Sequence, residues 1–287
     1  MYSAQFEYFR ASSLAEAVEL LQAHPGAKLL AGGHSLLPQM KLRVSQPGVL
    51  VDLGRLKELA GIRLDGGSLT IGALTTHNTL AHSAVVREHC PILAEAAAQI
   101  GDQQVRNRGT LGGSLAHADP AADLPSVIQA LGATLTATGP GGSRQIAAAD
   151  FFQDLFTTSL AAEEVLTAIS VPAYGAGTGG AYVKHAHPAS GYAVVGVAAV
   201  VMTSGGKCSG ARIVVGGATP VAVRASAAEG ALNGQPLDAE HIAAAADKVG
   251  AALDQPIGDH YASADYRRHL AGVLAKRALT AAAERAG

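Results

Sequence analysis

Two short glycine-rich segments contain the residue types that could bind an anion. The first, Leu29 to Ser35, is an apolar run that leads into Gly32 and Gly33 and ends on a hydroxyl residue. The second, Gly109 to Ser114, encloses another glycine pair between two hydroxyl residues. Glycine lets backbone N–H groups approach a phosphate closely, and hydroxyl groups supply further donors. Two such loops could hold both phosphates of one dinucleotide, and two ordinary turns are the alternative.

Two other glycine patterns lack the context that their motifs require. The spacing G-x-G-x-x-G occurs at 175–180, but a strand-like segment follows where a dinucleotide site needs a helix N-terminus. Ser35 and Ser114 follow glycine as in a hydrolase nucleophile elbow, which needs a second glycine two residues after the serine. Those positions hold Leu37 and Ala116. We therefore interpret 175–180 as a hinge and expect no catalytic serine.

The composition of the chain excludes several classes of protein. It is 48% hydrophobic and 15% charged with a net charge of -2, so neither disorder nor a basic nucleic-acid groove is expected. The longest uncharged apolar run, Tyr192 to Met202, is about half the ~20 residues that a membrane span requires. Cys90 and Cys208 are too few for an iron–sulfur cluster, which normally takes four thiolates. His185 and His187 lack a third metal ligand nearby.

Hydropathy patterns and capping residues place these segments among alternating short strands and helices. A capping box at Ser13–Glu16 opens the first helix. After the hinge, three consecutive strands (181–187, 193–203 and 211–216) precede three alanine-rich helices (223–232, 239–253 and 264–283). Strands followed by helices are typical of an α+β fold.

Three segments together resemble a known family: residues 31–38, residues 105–120, and residues 263–270 at the start of the last helix. The chain is similar over its whole length to the FAD-binding medium subunit of molybdenum hydroxylases, the family of aerobic carbon monoxide dehydrogenase, quinoline oxidoreductase and xanthine dehydrogenase. The resemblance implies a two-lobed PCMH-type (vanillyl-alcohol-oxidase-like) FAD-binding domain over 1–175, with lobes of about 1–55 and 56–175. A small C-terminal domain over 178–287 would combine a three-stranded antiparallel sheet with a helix bundle.

The resemblance also implies the residues that bind FAD. Two glycine loops would hold the pyrophosphate, Asp123 would lie near the ribityl or phosphate region, Leu166 and Lys184 would line the flavin, and Tyr192 would lie against the isoalloxazine ring. Many relatives have asparagine at the position of Ser114, and a hydroxyl can replace one amide contact. The loop residues implied are Leu30, Ala31, Gly32, Gly33, His34, Ser35, Leu36, Thr110, Leu111, Gly112, Gly113 and Ser114.

The implied function is electron transfer within a larger enzyme. FAD would be bound non-covalently, with no catalytic or metal-ligating residue in this chain. The molybdenum cofactor and two [2Fe–2S] clusters would lie in a large and a small partner subunit, in a dimer of heterotrimers. We expect a cytoplasmic oxidoreductase subunit. A flavin-free assembly subunit and a stand-alone FAD-dependent reductase are the alternatives.

Overall fold

The computed structural model describes residues 1–287, and the chain begins with a small parallel sheet. Strands β1 (Glu7–Arg10), β2 (Lys28–Leu30) and β3 (Val49–Asp52) pair in the order β1-β3-β2. Helix α1 (Leu14–Ala23) joins β1 to β2, and helix α2 (Leu36–Lys41) lies between β2 and β3. Parallel strands need such crossover connections. Eight buried residues between Ala11 and Leu59 form the core of this unit together with Val165 from a later strand.

A five-stranded antiparallel sheet with its helices forms the middle of the chain. Its strand order is β4-β5-β10-β6-β7, and its strands are β4 (Ile62–Asp65), β5 (Ser68–Gly72), β6 (Thr134–Gly139), β7 (Gly142–Ala147) and β10 (Val165–Pro172). The helices are α3 (His77–His82), α4 (Ala84–His89), α5 (Pro91–Ala98), α6 (Gln103–Arg106), α7 (Leu111–His117), α8 (Leu124–Leu131) and α9 (Ala148–Phe151). A hairpin of β8 (Phe152–Asp154) and β9 (Thr157–Thr158) precedes β10.

A second antiparallel sheet follows, with the order β11-β12-β13-β14. Its strands are β11 (Thr178–Ala186), β12 (Ala193–Ser204), β13 (Lys207–Gly216) and β14 (Val223–Arg224), and the helices that follow are α10 (Ser226–Leu232), α11 (Ala239–Ala246) and α12 (Ala264–Ala286). No helix of the structure has both the length and the apolar character needed to cross a bilayer.

The C-terminal sheet is covered on both faces, which explains the uncharged run around β12. Ala198 and Val200 belong to the core shared with α5 and α8, whereas Val197 and Ala199 belong to the core under α10 to α12. Successive side chains of a strand point to opposite faces, so a strand buried on both faces is apolar throughout. The largest core of the molecule therefore crosses the boundary between the middle and C-terminal regions.

The prediction of three C-terminal strands is wrong by one strand. Residues Val223 and Arg224 pair with β13 and add a fourth, where the sequence predicted the start of a helix. A β-branched residue fits a strand edge, and the alanine-rich helical pattern begins only at Ser226. The expected mixture of helices and sheets is confirmed, while the two-lobed PCMH-type description and the domain boundaries stay predictions.

Candidate functional site

The first glycine loop leaves consecutive backbone N–H groups free between β2 and α2. The six amides from Ala31 to Leu36 donate to no acceptor within the chain. Gly33 has φ +74°, in the left-handed region that favours glycine, and the Ser35 side chain does not cap α2. Successive unpaired amides form a concave binding site for anions. The loop therefore presents an array of donors suited to a phosphate group.

The second glycine segment is the first turn of helix α7 rather than a loop. The hydroxyl of Thr110 caps the helix by accepting the Gly113 N–H at 3.0 Å. The Leu111 and Gly112 amides donate to Thr75 O and Ala73 O, at 2.9 and 2.8 Å. These three amides are unavailable to a ligand, which corrects the expectation that the whole segment offers amides.

Two groups of the second segment remain open to a ligand, and a glycine packs against the protein. The Thr110 N–H has no acceptor in the chain, and the Ser114 hydroxyl makes no internal hydrogen bond, although the Ser114 amide donates to Thr110 O at 3.0 Å. Gly112 faces inward, because a Cβ there would lie 2.5 Å from the Cβ of Ala73. The segment thus contributes shape and a few donors, and the binding role predicted for 110–114 stays a prediction.

The fold brings the two segments into direct contact. A Cβ on Gly32 would lie 2.2 Å from Arg108 O and 2.8 Å from the Cα of Gly109. A Cβ on Gly113 would lie 3.6 Å from the Cβ of Ala31. Glycine at position 32 is therefore required by close backbone approach. The free amides of the first loop lie directly beside the N-terminus of α7.

Two basic residues that the sequence analysis did not assign to the site lie beside this junction. His77 is buried, its Nδ1 has no hydrogen-bond partner, and its ring lies against Gly109. Arg106 donates to Ile100 O and Gly101 O, both at 3.0 Å, and its Nε has no partner. The His77 N–H donates to Gly109 O, and a bridge between Thr76 and Thr110 fixes the contact. No local motif signals this long-range pairing.

His34, the exposed residue of the first loop, makes a hydrogen bond from Nδ1 to Gly32 O at 3.1 Å. Its charge, together with that of Arg106, lowers the pKa of His77, although burial is the larger cause. His34 and Arg106 therefore lie close enough to His77 to act on its charge. This electrostatic environment favours an anion at the first loop.

Asp123 and Lys184 form a buried ion pair between the middle and C-terminal regions. The Lys184 Nζ lies 3.0 Å from the Asp123 carboxylate, and the Tyr182 hydroxyl donates to the same carboxylate at 2.6 Å. Burial raises the pKa of Asp123, and the Lys184 charge opposes that rise. Burial, with Asp123 as the next cause, raises the pKa of Tyr182 well above its usual value. Asp123 and Lys184 were both predicted to lie at the FAD site. In this structure, both form hydrogen bonds with other protein groups.

The remaining two predicted residues differ in their exposure. Leu166 is buried in β10, where it pairs with Ala137 in β6. Tyr192 is 42% exposed and precedes β12. Burial and then the Asp119 charge raise the pKa of Tyr192, and the nearby Ser35 side chain opposes the rise. The structure thus places Tyr192 beside the first loop, whereas Leu166 lies within the hydrophobic core.

His77 makes the stability of the chain depend on pH. Burial lowers its pKa from 6.5 to about 4, so the unfolded chain binds more protons between these values. The contribution of His77 is complete above pH 6.5 and is lost as the pH falls to about 4, for a change of about 3 kcal/mol. Urea unfolding at pH 7 and pH 4 should show this loss in the wild type and a smaller loss in His77→Gln. The exposed His260→Gln serves as the control, and equal losses in all three chains would contradict the assignment.

Two family models match consecutive parts of the chain. The FAD binding domain in molybdopterin dehydrogenase matches residues 4–174, and the CO dehydrogenase flavoprotein C-terminal domain matches residues 180–282. The carbon monoxide dehydrogenase medium chain of Hydrogenophaga pseudoflava is 44% identical over 283 residues, which cover 98% of each chain. The xanthine dehydrogenase FAD-binding subunit of Escherichia coli O157:H7 is 32% identical, covering 98% of this chain and 97% of the relative.

Solved structures agree with these matches. A chain of the Hydrogenophaga pseudoflava carbon monoxide dehydrogenase that lacks the Mo-pyranopterin moiety superposes with a TM-score of 0.96 at 46% identity, covering 99% of both chains. A chain of quinoline 2-oxidoreductase from Pseudomonas putida 86 has a TM-score of 0.94 at 36% identity, covering 100% of this chain and 99% of the other. The chain belongs to the FAD-binding medium subunits of molybdenum hydroxylases, and the resemblance seen in the sequence is confirmed.

The residues at the loop junction fit the phosphate end of FAD. A pyrophosphate carries several acceptor oxygens and negative charge, and the free amides of 31–36 supply donors without competition from protein acceptors. The Arg106 guanidinium complements that charge, whereas His77, with a pKa of about 4, is uncharged at neutral pH. The half-exposed ring of Tyr192 beside Ser35 offers an aromatic surface close to the same loop.

Proposed function

We propose that this chain is the electron-transfer flavoprotein subunit of a molybdenum-containing dehydrogenase. It takes electrons from the [2Fe–2S] clusters of a small partner subunit and passes them to an external acceptor. A large partner subunit holds the molybdenum cofactor and oxidises the substrate, in a dimer of heterotrimers. Medium chains named for carbon monoxide, xanthine and quinoline enzymes resemble this one over nearly all of its length, which supports selection of the substrate by the partner.

One observation carries this proposal: the unpaired amides of 31–36 lie against the N-terminal turn of α7. Backbone N–H groups that find no protein acceptor must bond to water or to a ligand. A chain with the fold but without the cofactor has no need to keep such donors unpaired beside basic groups. The arrangement therefore favours FAD binding over a flavin-free assembly role.

The chain's own residues divide the task of holding FAD non-covalently. The amides of 31–36 bind the pyrophosphate, with the Thr110 N–H and the Ser114 hydroxyl as additional donors. The inward-facing glycine 112 lets α7 approach β5 closely, and Tyr192 covers the first loop from the C-terminal region. FAD, when bound, supplies the electron acceptor and donor that ordinary side chains lack. The protein positions that group and excludes water from part of it.

We also propose a division of the chain at the linker after β10. Residues 1–175 form the PCMH-type FAD-binding domain, with lobes of about 1–55 and 56–175, and residues 178–287 form the C-terminal domain. The parallel sheet ends at Asp52 and the five-stranded sheet starts at Ile62, which supports the lobe boundary. The two family models meet between residues 174 and 180, which supports the domain boundary.

Reconstitution of the complex with a flavin-deficient variant tests the function. The wild-type chain should bind FAD, release it intact in acid, and gain about 2.7 kcal/mol of stability at FAD one hundredfold above the dissociation constant. The chain co-expressed with the large and small subunits should transfer electrons from substrate to a dye. Gly33→Val should still co-purify with both partners, but without FAD and without dye reduction, because valine resists the positive φ at that position.

Two results would overturn the proposal. Full dye reduction by a complex without FAD would favour the assembly role. Oxidation of aldehydes, purines or N-heterocycles by the isolated chain would favour a stand-alone reductase.

A further inference from the structure

Helix α2 ends in a Schellman motif in which arginine occupies the position that usually holds glycine. The Val44 N–H donates to Gln39 O at 3.0 Å and the Arg43 N–H donates to Met40 O at 3.1 Å, which are the two bonds of that motif. Arg43 has φ +58°, a conformation that strains any residue with a Cβ. The apolar residue after such a cap commonly packs back on its helix, but Val44 is 77% exposed. The end of α2 therefore holds Val44 and the neighbouring Leu42 in solvent.

The hairpin of β8 and β9 shows the same combination of strain and exposed apolar residues. Its two-residue loop is Leu155–Phe156, and Phe156 has φ +53°, where hairpin loops usually hold glycine or asparagine. The Phe156 side chain is half exposed, as is that of Leu155, so burial within the chain does not account for a phenylalanine there. Strained residues of this kind are concentrated at functional surfaces.

His117, at the end of α7, joins these two segments into one surface. The Gln39 side-chain amide forms a hydrogen bond with His117 Nε2 at 3.4 Å, and the rings of His117 and Phe156 lie 5.1 Å apart. At the start of α2, Leu37 lies against the first glycine loop, because a Cβ on Gly33 would be 2.9 Å from its Cδ1. The exposed apolar residues of these segments are named the α2–hairpin surface: Leu37, Leu42, Val44, Leu155 and Phe156.

Two cations interrupt this surface without an acidic partner. Lys41 and Arg43 are exposed, and neither takes part in an ion pair of the chain. The hairpin contains one carboxylate, Asp154, which accepts the Leu155 N–H at 2.7 Å. Aromatic and apolar residues at the centre with charged groups at the rim are the usual composition of a protein–protein interface. The complementary surface would carry apolar side chains beside carboxylates.

We propose that the α2–hairpin surface binds the [2Fe–2S] partner subunit through an apolar, acidic patch of that partner. The surface continues into the first glycine loop, so a partner bound to it lies beside the cofactor. Electrons cross protein only over short distances, and of the two partners the subunit that holds the clusters must approach the flavin. This inference rests on the proposed function for the identity of the partner, whereas the surface itself is a property of the free chain.

Photo-cross-linking in the assembled complex tests which partner covers the surface. With the three subunits co-expressed, p-benzoylphenylalanine in place of Phe156 or Leu42 should cross-link to the small [2Fe–2S] subunit. The same replacement of Leu64, an exposed residue of β4, is the control and should give less than about a tenth of that yield. Cross-links from Phe156 to the large subunit, to a second copy of this chain or to no subunit would overturn the proposal.

Phe156→Gly separates docking from folding, because glycine adopts the positive φ without strain. The isolated variant should melt no lower than the wild type and should bind FAD with unchanged affinity. Its complex should release the small subunit at a concentration at least about tenfold higher than the wild-type complex does, as expected for loss of an aromatic anchor. Leu64→Ala is the control. Equal dissociation of these two variant complexes would overturn the proposal.

Reversal of the two cations supplies an independent readout. Lys41→Glu combined with Arg43→Glu should weaken assembly at least about tenfold at low salt, and the difference from the wild type should shrink at high salt. The exposed Lys207→Glu should change neither quantity. A difference that does not depend on salt would overturn the charge complementarity. A wild-type chain without FAD would instead overturn the proposed function, and the cross-link from position 156 would still decide whether this surface binds the small subunit.

Discussion

Replacing Gly32 with alanine is expected to weaken FAD binding at least about a hundredfold, which corresponds to about 2.7 kcal/mol. The added Cβ would lie 2.2 Å from Arg108 O and 2.7 Å from its carbonyl carbon, a separation that atoms do not adopt. The α7 turn is held by its hydrogen bonds to Ala73 O and Thr75 O, just after β5, so the first loop must move instead. Displaced amides lose charge-assisted hydrogen bonds to the phosphates, each contributing about 1.5–3 kcal/mol.

Fluorescence titration of the purified chain with FAD measures this effect. Gly48→Ala is the matched control, because a Cβ at that exposed glycine meets nothing within 4 Å and its φ is not positive. Thermal unfolding of Gly48→Ala should resemble that of the wild type, and Gly32→Ala should still be folded at the temperature of the titration. Unchanged FAD affinity in Gly32→Ala would show that the junction of the two segments is not the binding site.

Replacing Arg267 with methionine is expected to destabilise the chain by about 4 kcal/mol. Its guanidinium is buried and donates to Gly217 O at 2.6 Å, to Val194 O at 2.9 Å and to Asp259 at 2.6 Å. Methionine fills similar space but leaves two strand-end carbonyls without donors, and each unsatisfied buried group costs about 1–3 kcal/mol. The loss should appear in urea unfolding followed by circular dichroism.

The exposed Arg277→Met on the same helix tests whether the effect belongs to the buried position. It should change the free energy of unfolding by less than about 0.5 kcal/mol. Lysine at position 267 should not restore stability, because its single ammonium cannot match the fork of the guanidinium. Equal stability of Arg267→Met and Arg277→Met would refute this account of the helix α12 contact.

Helices and strands that carry a short sequence motif or an apolar run could be predicted from the sequence. The capping box at Ser13 starts α1 as expected, with Ser13 Oγ accepting the Glu16 N–H at 3.1 Å. The Glu16 carboxylate, however, accepts the Ser12 N–H at 2.7 Å rather than that of Ser13. Strand β12 was also visible as an apolar run. Its complete burial depends on helices from two regions, which no window of sequence contains.

The second glycine segment shows why part of the site could not be predicted. Paired glycines disfavour helices, so the sequence predicts a loop at 110–114. Tertiary contacts override that preference, because small residues allow α7 to approach Ala73 and Thr110 caps the turn. A glycine selected for close packing and a glycine selected for backbone conformation look the same in a sequence.

Contacts between residues far apart in the sequence could not be predicted either. The chemistry of the two glycine segments predicts that both bind one dinucleotide, but it does not predict His77, which enters the site only through the pairing of Thr76 with Thr110. Asp123 and Lys184 were singled out by resemblance alone. Their mutual ion pair is a contact between the middle and C-terminal regions, and it depends on how the two sheets are placed.

The two glycine segments differ in their internal hydrogen bonding. They therefore lose different amounts of backbone entropy when a ligand binds. The α7 turn is already ordered, so it provides shape complementarity without further loss of backbone freedom. Residues 31–36 must exchange water for phosphate oxygens, and the backbone freedom that they keep in the free chain is lost on binding. Affinity for FAD therefore depends on the stiffness of the first loop as well as on its contacts. Rigidifying that loop in its bound shape would tighten binding without adding any contact.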